Sequence, residues 1–189
     1  MGVPEVWGVT ADEVARCYPC DAVLPEPGVT WFRAVTVQAP ASVVFRWLCQ
    51  MKVAPYSYDL LDNVGRRSPR TLTPGVERLE VGQRVMTIFE LVDFTPDADL
   101  TIRMLPGPGR ILFGDFAITY DVREVADGTS RLVTKLVLDN KPDMFAALRR
   151  RVLAWGDLLM MRRQLLTFRG LSEGQVATSG QRRTLSTDG

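Results

Sequence analysis

Residues 130–169 read SRLVTKLVLDNKPDMFAALRRRVLAWGDLLMMRRQLLTFR, and a strand pattern passes directly into a long helical pattern within them. Apolar side chains occupy every second position of 131–139, which predicts a strand with one apolar face. That face consists of Leu132, Thr134, Leu136 and Leu138. A helix is predicted from about Pro142 to Arg169, and at 1.5 Å per residue it is about 40 Å long. We therefore expect a sheet that one long terminal helix covers.

The preceding sequence supplies the rest of this sheet. Strands are predicted at 84–94, 99–105 and 112–124, and the turn Asp127-Gly128 joins the last of them to the next strand. Short connections between consecutive strands favour an antiparallel meander. An earlier strand at 30–37 leads into a helix that starts near Pro40 and ends before Pro55. This order is typical of an α+β fold.

Composition limits the class of protein. A chain of 189 residues favours one domain, and we expect an arm over 1–28, a single domain over 29–171 and a disordered tail over 172–189. The net charge of +1 argues against nucleic-acid binding, which requires a basic excess. Apolar runs are too short for a membrane span, and the N-terminus lacks the features of a signal peptide, so we expect a cytoplasmic protein.

Few residues are suited to catalysis or metal binding. The sequence has no histidine, which excludes Ser-His-Asp and Cys-His nucleophilic systems and the common histidine metal sites. Cys17 and Cys20 form a CxxC motif, but prolines surround it and no helical pattern follows, so we interpret them as two loop thiols. We expect neither a metal nor a cofactor.

The inward face of the sheet is predicted to be mostly apolar. For 84–94 either face is plausible, and we favour the one that contains Met86, Ile88 and Glu90. The inward polar groups are then Glu90, Tyr120 and Thr134. An apolar lining with few polar groups is typical of a pocket for a small molecule, although a packed core gives the same pattern.

The terminal helix has two apolar stripes. The first is Phe145, Leu148, Val152, Trp155, Leu159 and Leu166, and the second is Ala154, Leu158, Met161, Leu165 and Phe168. We expect the first stripe to face the sheet and the N-terminal arm to cover the second. A subunit interface, as in a homodimer, or a ligand surface is the alternative cover. The arginines of the helix favour a solvated face over a membrane-bound one.

Asp157 has no basic residue three or four positions away on the helix. It therefore needs a partner elsewhere in the fold, and we predict that this partner is Arg66 or Arg67.

Several short motifs resemble a known superfamily. They are Arg33-Ala-Val-Thr-Val37, Trp47-Leu48, Tyr56-Ser-Tyr-Asp59, Gly65-Arg66-Arg67-Ser68, Val81-Gly82-Gln83, Trp155-Gly156-Asp157, Met160-Met161-Arg162 and Gln164-Leu165-Leu166. These motifs are similar to the START-like or SRPBCC helix-grip superfamily, within it to an actinobacterial polyketide cyclase/dehydrase-like group. The resemblance implies a curved antiparallel sheet around a long C-terminal helix, with short helices after the first strand and an apolar cavity between sheet and helix.

Three functions follow from this interpretation. The first is binding or transport of a small hydrophobic molecule (lipid-, polyketide- or aromatic-like) in an internal cavity. The second is a cyclase or dehydratase in which Glu90 and Tyr120 act as base and acid. The third is an interaction module that uses the long helix. The candidate ligand-binding residues are Trp47, Tyr58, Met104, Phe116, Tyr120, Thr134, Leu136, Trp155 and Leu159.

Overall fold

A computed structural model describes residues 2–24, 26–56, 68–139 and 146–185 of the chain. Its strands and helices, labelled here in chain order, are β1 (Val6–Trp7), α1 (Ala11–Ala15), α2 (Pro19–Val23), β2 (Pro27–Val37), α3 (Ala41–Cys49), β3 (Arg84–Val85), β4 (Phe89–Thr95), β5 (Asp99–Met104), α4 (Pro108–Phe113), β6 (Phe116–Ala126), β7 (Thr129–Asp139) and α5 (Ala146–Leu185). A 3₁₀ turn, Gln50–Lys52, follows α3. The predictions for Tyr58, Arg66 and Arg67 lie outside the described residues.

Seven strands form one mixed sheet in the order β1-β2-β7-β6-β5-β4-β3. The two-residue strand β1 runs parallel to β2, and every other described pair is antiparallel. The predicted hairpin is confirmed, because β6 and β7 meet across Asp127-Gly128, where Gly128 has a φ of 65°. The α+β architecture that the sequence predicts is therefore the one observed.

The segment 84–94, predicted as one strand, is instead a hairpin. Met86 and Thr87 have φ values of 47° and 67°, so the chain turns there and β4 pairs antiparallel with β3. The predicted inward face of this segment was also wrong: Phe89 and Leu91 are buried. Glu90 lies on the opposite face, across from Arg103. This register is favoured because it buries two large apolar side chains and places opposite charges side by side.

The sheet has a core on each face. Its inner face, which packs against α5, carries Leu132, Leu136 and Leu138 as predicted. Its outer face carries a second, smaller core of Tyr18, Cys20, Phe32, Ala34, Ala117, Val133 and Val137. The N-terminal arm supplies Tyr18 and Cys20, so it covers the outer face of the sheet and not the long helix as predicted. Trp7 of the arm does approach α5, where its ring lies 5.5 Å from the guanidinium of Arg162.

The arm is fixed by side chains that the outer face presents to it. Glu13 accepts two hydrogen bonds from Arg131, each 2.8 Å long, and also completes a capping box with Thr10 at the start of α1. Asp21 of α2 pairs with Lys135 at 2.7 Å. The CxxC motif therefore differs from the predicted pair of loop thiols: Cys17 is exposed, whereas Cys20 is buried within α2.

The long helix α5 packs through the stripe opposite to the one predicted. Leu158, Met161, Leu165 and Phe168 are buried, whereas Val152, Trp155 and Leu159 are exposed. The helix also continues to Leu185, past the end predicted at Arg169 and into the segment for which disorder was expected. Side-chain contacts hold this extension, since Gln175 accepts a hydrogen bond from the indole of Trp47 at 2.9 Å. No helix in the described ranges combines the length and the apolar run that crossing a bilayer requires.

Candidate functional site

Three polar side chains form a row across the inner face of the sheet, and this "polar row" consists of Arg33, Thr134 and Tyr120. Arg33 of β2 pairs with Thr134 of β7, and Thr134 pairs in turn with Tyr120 of β6. Directly opposed residues in antiparallel strands place their side chains next to one another. All three are at most 1% exposed. They form a polar strip within an apolar interior.

The helix α5 places two polar side chains over this row. Arg33 donates a hydrogen bond from Nη2 to Oδ2 of Asp157 at 2.8 Å, and the two form an ion pair. The hydroxyl of Tyr120 donates to Oε1 of Gln164, also at 2.8 Å. Asp157 and Gln164 are seven residues apart, which puts both on the face of α5 that meets the sheet.

Asp157 pairs with Arg33, whereas the predicted partners, Arg66 and Arg67, lie outside the described residues. A signal for this was present in the sequence. Arg33 shares the period of Trp31 and Val35, which both belong to the inner core, so alternation along β2 alone points the arginine inward. An inward cation needs a buried carboxylate, and Asp157 is the one that α5 supplies.

Burial controls the ionisation of this site. Desolvation raises the pKa of Asp157 to about 6, although the charge of Arg33 and its hydrogen bond act in the opposite direction. Desolvation likewise lowers the pKa of Arg33, and Asp157 offsets part of that change. The pKa of Tyr120 is raised by burial, so its hydroxyl keeps its proton and serves as a hydrogen-bond donor to Gln164.

Two atoms of the polar row have no hydrogen-bond partner among the described residues. They are Nε of Arg33 and Oγ1 of Thr134, in cross-strand neighbours. An unpaired buried polar group costs about 1–3 kcal/mol, and most proteins avoid it. The outer face shows the contrast, because Thr101 and Thr119 share a 2.8 Å hydrogen bond there. The polar row therefore has hydrogen-bonding capacity that the described part of the chain does not use.

The remaining nitrogen of the Arg33 guanidinium, Nη1, already has hydrogen-bond partners. Its Nη1 donates to the backbone carbonyls of Glu5 at 2.7 Å and Phe32 at 2.9 Å. These bonds to β1 and β2 fix the guanidinium against the sheet. Among its described contacts, only the bond to Asp157 comes from α5.

The structure gathers some of the predicted ligand-binding residues and separates others. Five lie on the inner face of the sheet: Met104, Phe116, Tyr120, Thr134 and Leu136. Trp47 is buried on α3 near the far end of α5, where it bonds Gln175. Trp155 and Leu159 are exposed on the solvent side of α5. The predicted acid–base pair is not brought together, because Glu90 is on the outer face and Tyr120 on the inner one.

The interior formed by the described residues is closely packed. A cavity of about 10 Å³ lies between α3, β4 and β5, with Leu48, Leu91 and Leu100 in its wall. That volume holds about one water molecule, whereas pockets for small molecules measure about 300–1,000 Å³. No group of three or more acidic or cysteine side chains in the described ranges is placed to hold a metal ion.

Comparisons with known proteins bear on the fold. No family model and no curated protein matches the sequence. The di-domain ARO/CYC BexL, from the BE-7585A biosynthetic pathway, is 18% identical over 80% of this chain with a TM-score of 0.50, and this chain spans 52% of it. Zhui aromatase/cyclase from Streptomyces sp. R1128 is 17% identical over 78% of this chain and 94% of its own, with a TM-score of 0.49. Protein MLL2253 from Mesorhizobium loti is 12% identical over 75% and 95%, also with a TM-score of 0.49.

At these identities the likeness concerns architecture alone, and its elements are those described above: an antiparallel sheet, short helices after its first long strand, and a long C-terminal helix across the inner face. The chain therefore has the helix-grip fold, as the motifs in its sequence predicted.

Proposed function

We propose that the chain binds a small, mostly apolar molecule between the inner face of its sheet and the first part of α5, residues 146–160. The observation that carries this proposal is the pair of unpartnered polar atoms, Nε of Arg33 and Oγ1 of Thr134, within an apolar surface. Ligand sites have this composition: apolar walls and a few polar groups that orient the ligand.

The ligand enters beneath the first part of α5, residues 146–160. From Arg151 to Met160, α5 buries Ala154 and Leu158, and Leu153 packs partly buried against the inner core, beside the ion pair of Asp157. Its next turns bury Met161, Leu165 and Phe168. Over 151–160, α5 thus buries fewer large apolar side chains than its next turns do, so lifting this part exposes less apolar surface, at about 25 cal/mol per Å². A ligand that covers the inner face restores what is lost.

The fold neighbour BexL carries the name ARO/CYC, and a cyclase was one interpretation of this sequence. That interpretation relied on Glu90 and Tyr120 acting on one substrate, and their side chains lie on opposite faces of the sheet. We therefore propose binding and not turnover as the function.

An interaction module remains the second candidate, because Val152, Trp155 and Leu159 form an exposed apolar stripe. A symmetric contact between two such stripes would also bring Arg163, which is exposed one turn after Leu159, towards its own copy. Like charges at an interface oppose association. Light scattering over a hundredfold range of protein concentration tests this candidate, and a concentration-dependent dimer that W155S abolishes would favour it over a ligand site.

The binding proposal is tested with a neutral apolar probe. N-phenyl-1-naphthylamine is titrated into the full chain with fluorescence detection, and 1-decanol is used to displace it. We expect saturable binding at one site and a change in amide hydrogen exchange over 146–160 and in β7 when the probe is present. The rest of α5, over 161–175, serves as the internal control and should change little. Failure of both neutral molecules to bind the folded protein would refute the proposal.

A further inference from the structure

We infer that the ligand carries a carboxylate, and that this carboxylate binds Arg33 in place of Asp157. The inference rests on the proposed function, since it concerns the same site. It identifies the ligand class as an aliphatic or aromatic carboxylic acid. It also gives Asp157 a role as an internal carboxylate that occupies the site while the ligand is absent.

The geometry of the ion pair is the first argument. Asp157 contacts Arg33 through one hydrogen bond, from Nη2 to Oδ2, and Nε has no partner in the described ranges. Nε–H and the adjacent Nη2–H point in the same direction along one edge of a guanidinium. A carboxylate that takes both forms the bidentate pair, which is the stronger arrangement. The contact with Asp157 therefore uses only one of the two N–H groups on the edge that a free carboxylate would occupy.

The balance of charge is the second argument. Arg33 is a buried cation, and leaving it unpaired would cost several kcal/mol. A ligand carboxylate replaces the charge of Asp157, so the number of buried charges does not change. Asp157 meanwhile returns to water with the lifted helix, where its ionised form is no longer penalised by burial. A neutral ligand brings no replacement charge, so it leaves the Arg33–Asp157 pair in place and gains nothing from the Nε–H edge of the guanidinium.

The surroundings of Arg33 fit the rest of such a molecule. Thr134, next to Arg33, has a hydroxyl that no described residue bonds, and it can donate to the same carboxylate. Along β7 the inward side chains then become apolar, with Leu136 beside Ile118 and Leu138 beside Phe116. Leu138 lies four positions after Thr134 along the strand, a distance of about 13 Å. A chain of about ten carbons has this length.

The experiment compares decanoate with 1-decanol, which share the ten-carbon chain and differ in the charged group. Isothermal titration at pH 7.5 is carried out on the wild type, on D157N and on the double variant R33M/D157N. The double variant removes both members of the ion pair, so that no unpaired buried charge remains to unfold the protein. Circular dichroism confirms that each variant is folded before titration.

We expect the wild type to bind decanoate about tenfold more tightly than decanol, a difference of about 1.4 kcal/mol. D157N should raise this preference further, because the competing carboxylate is gone. R33M/D157N should bind both molecules with similar affinity. Equal binding of both by the wild type, or a preference for decanoate that persists in R33M/D157N, would overturn the inference and leave the proposed function standing. If neither molecule binds, the proposed function fails as well.

Discussion

Arg33 and Asp157 lie 124 positions apart in the chain, and the 2.8 Å hydrogen bond between them joins the second strand to the terminal helix. Their side chains are 2% and 14% exposed, so the pair lies at the boundary between the core and solvent. Burial outweighs the attraction of the arginine and raises the pKa of the carboxyl to about 6. This ion pair therefore determines where α5 lies on the sheet, and it does so at a cost in desolvation.

The raised pKa of Asp157 predicts a specific pH dependence of stability. Between the unfolded pKa, near 4, and the folded pKa, near 6, the folded protein binds a proton that the unfolded chain releases. The contribution of this group to the free energy of unfolding therefore falls as pH rises through that window. Relative to D157N, the wild type should gain about 2–3 kcal/mol as the pH falls from 7 to 4, at about 1.4 kcal/mol per pKa unit.

Urea unfolding of both proteins at half-unit pH steps measures this difference, and subtracting the two curves removes the other carboxyl groups. Arg33 on β2 and Tyr120 on β6 are the titratable groups coupled to Asp157, and neither changes its charge in this range. If acidification instead weakened the wild type relative to D157N, the pKa of Asp157 would be lowered and not raised.

The lowered pKa of Glu13 predicts the opposite pH dependence of stability. Burial alone would raise its pKa, but Arg131 and the hydrogen bonds at Thr10 outweigh burial and lower it. The stabilisation by Glu13 is therefore complete above the unfolded pKa, near 4.5, and is lost as pH falls through the lower folded value. At pH 7 we expect E13Q to be about 1–3 kcal/mol less stable than the wild type. This gap should narrow as the pH falls below 4.5.

R169Q is the control for Glu13, because it breaks the exposed pair of Arg169 with Glu173 on α5. Exposed pairs of this spacing contribute about 0.3–0.5 kcal/mol. Urea unfolding at pH 7 and pH 3.5 distinguishes the two variants. Equal effects of E13Q and R169Q would contradict the description of the arm as fixed by Glu13 and Arg131.

The orientation of α5 is tested by two neighbouring leucines. Leu158 is 6% exposed and Leu159 is 56% exposed. We expect L158A to lower the free energy of unfolding by about 2–4 kcal/mol, and L159A to change it by less than about 0.5 kcal/mol. Urea unfolding followed by circular dichroism measures both. A reversal of the two effects would mean that the stripe of Trp155 and Leu159 faces the sheet, as the sequence alone had suggested.

The contrast between β7 and α5 shows how far sequence patterns determine this fold. The alternation in β7 places Leu132 and Leu136 on the inner face without ambiguity, because the opposite positions include Arg131 and Lys135. The two stripes of α5 are both apolar, so periodicity cannot choose between them. The choice depends on the bonds of Arg33 and Tyr120 to the helix, which connect residues 124 and 44 positions apart.

Glu90 was misplaced for a related reason. Both faces of 84–94 carry large apolar side chains, and the turn that divides the segment uses Met86 and Thr87 with positive φ. Residues without glycine's freedom rarely adopt that conformation, so composition gave no sign of the turn. Arg33, in contrast, could have been found, because its inward position follows from alternation along β2.

Two buried threonines provide the most direct test of the polar row. Thr119, on the outer face, shares a hydrogen bond with Thr101 and accepts another from the backbone amide of Cys20 at 2.9 Å. Thr134, on the inner face, has a hydroxyl without a partner among the described residues. T119V should therefore cost about 1–3 kcal/mol, because it leaves a buried amide unpaired. T134V should be neutral or stabilising, because valine has nearly the same shape and removes an unsatisfied hydroxyl.

The substitution T134V should affect stability and ligand binding in opposite directions. The unsatisfied hydroxyl lowers the stability of the folded protein, and such a cost is typical of side chains that bind a ligand. We therefore expect T134V to unfold at the same or higher urea concentration than the wild type while it binds decanoate several-fold more weakly. T119V, which lies on the outer face, should keep its affinity for decanoate despite its lower stability. A T134V protein that is clearly destabilised and binds decanoate normally would show that the hydroxyl has a structural partner and no role in binding.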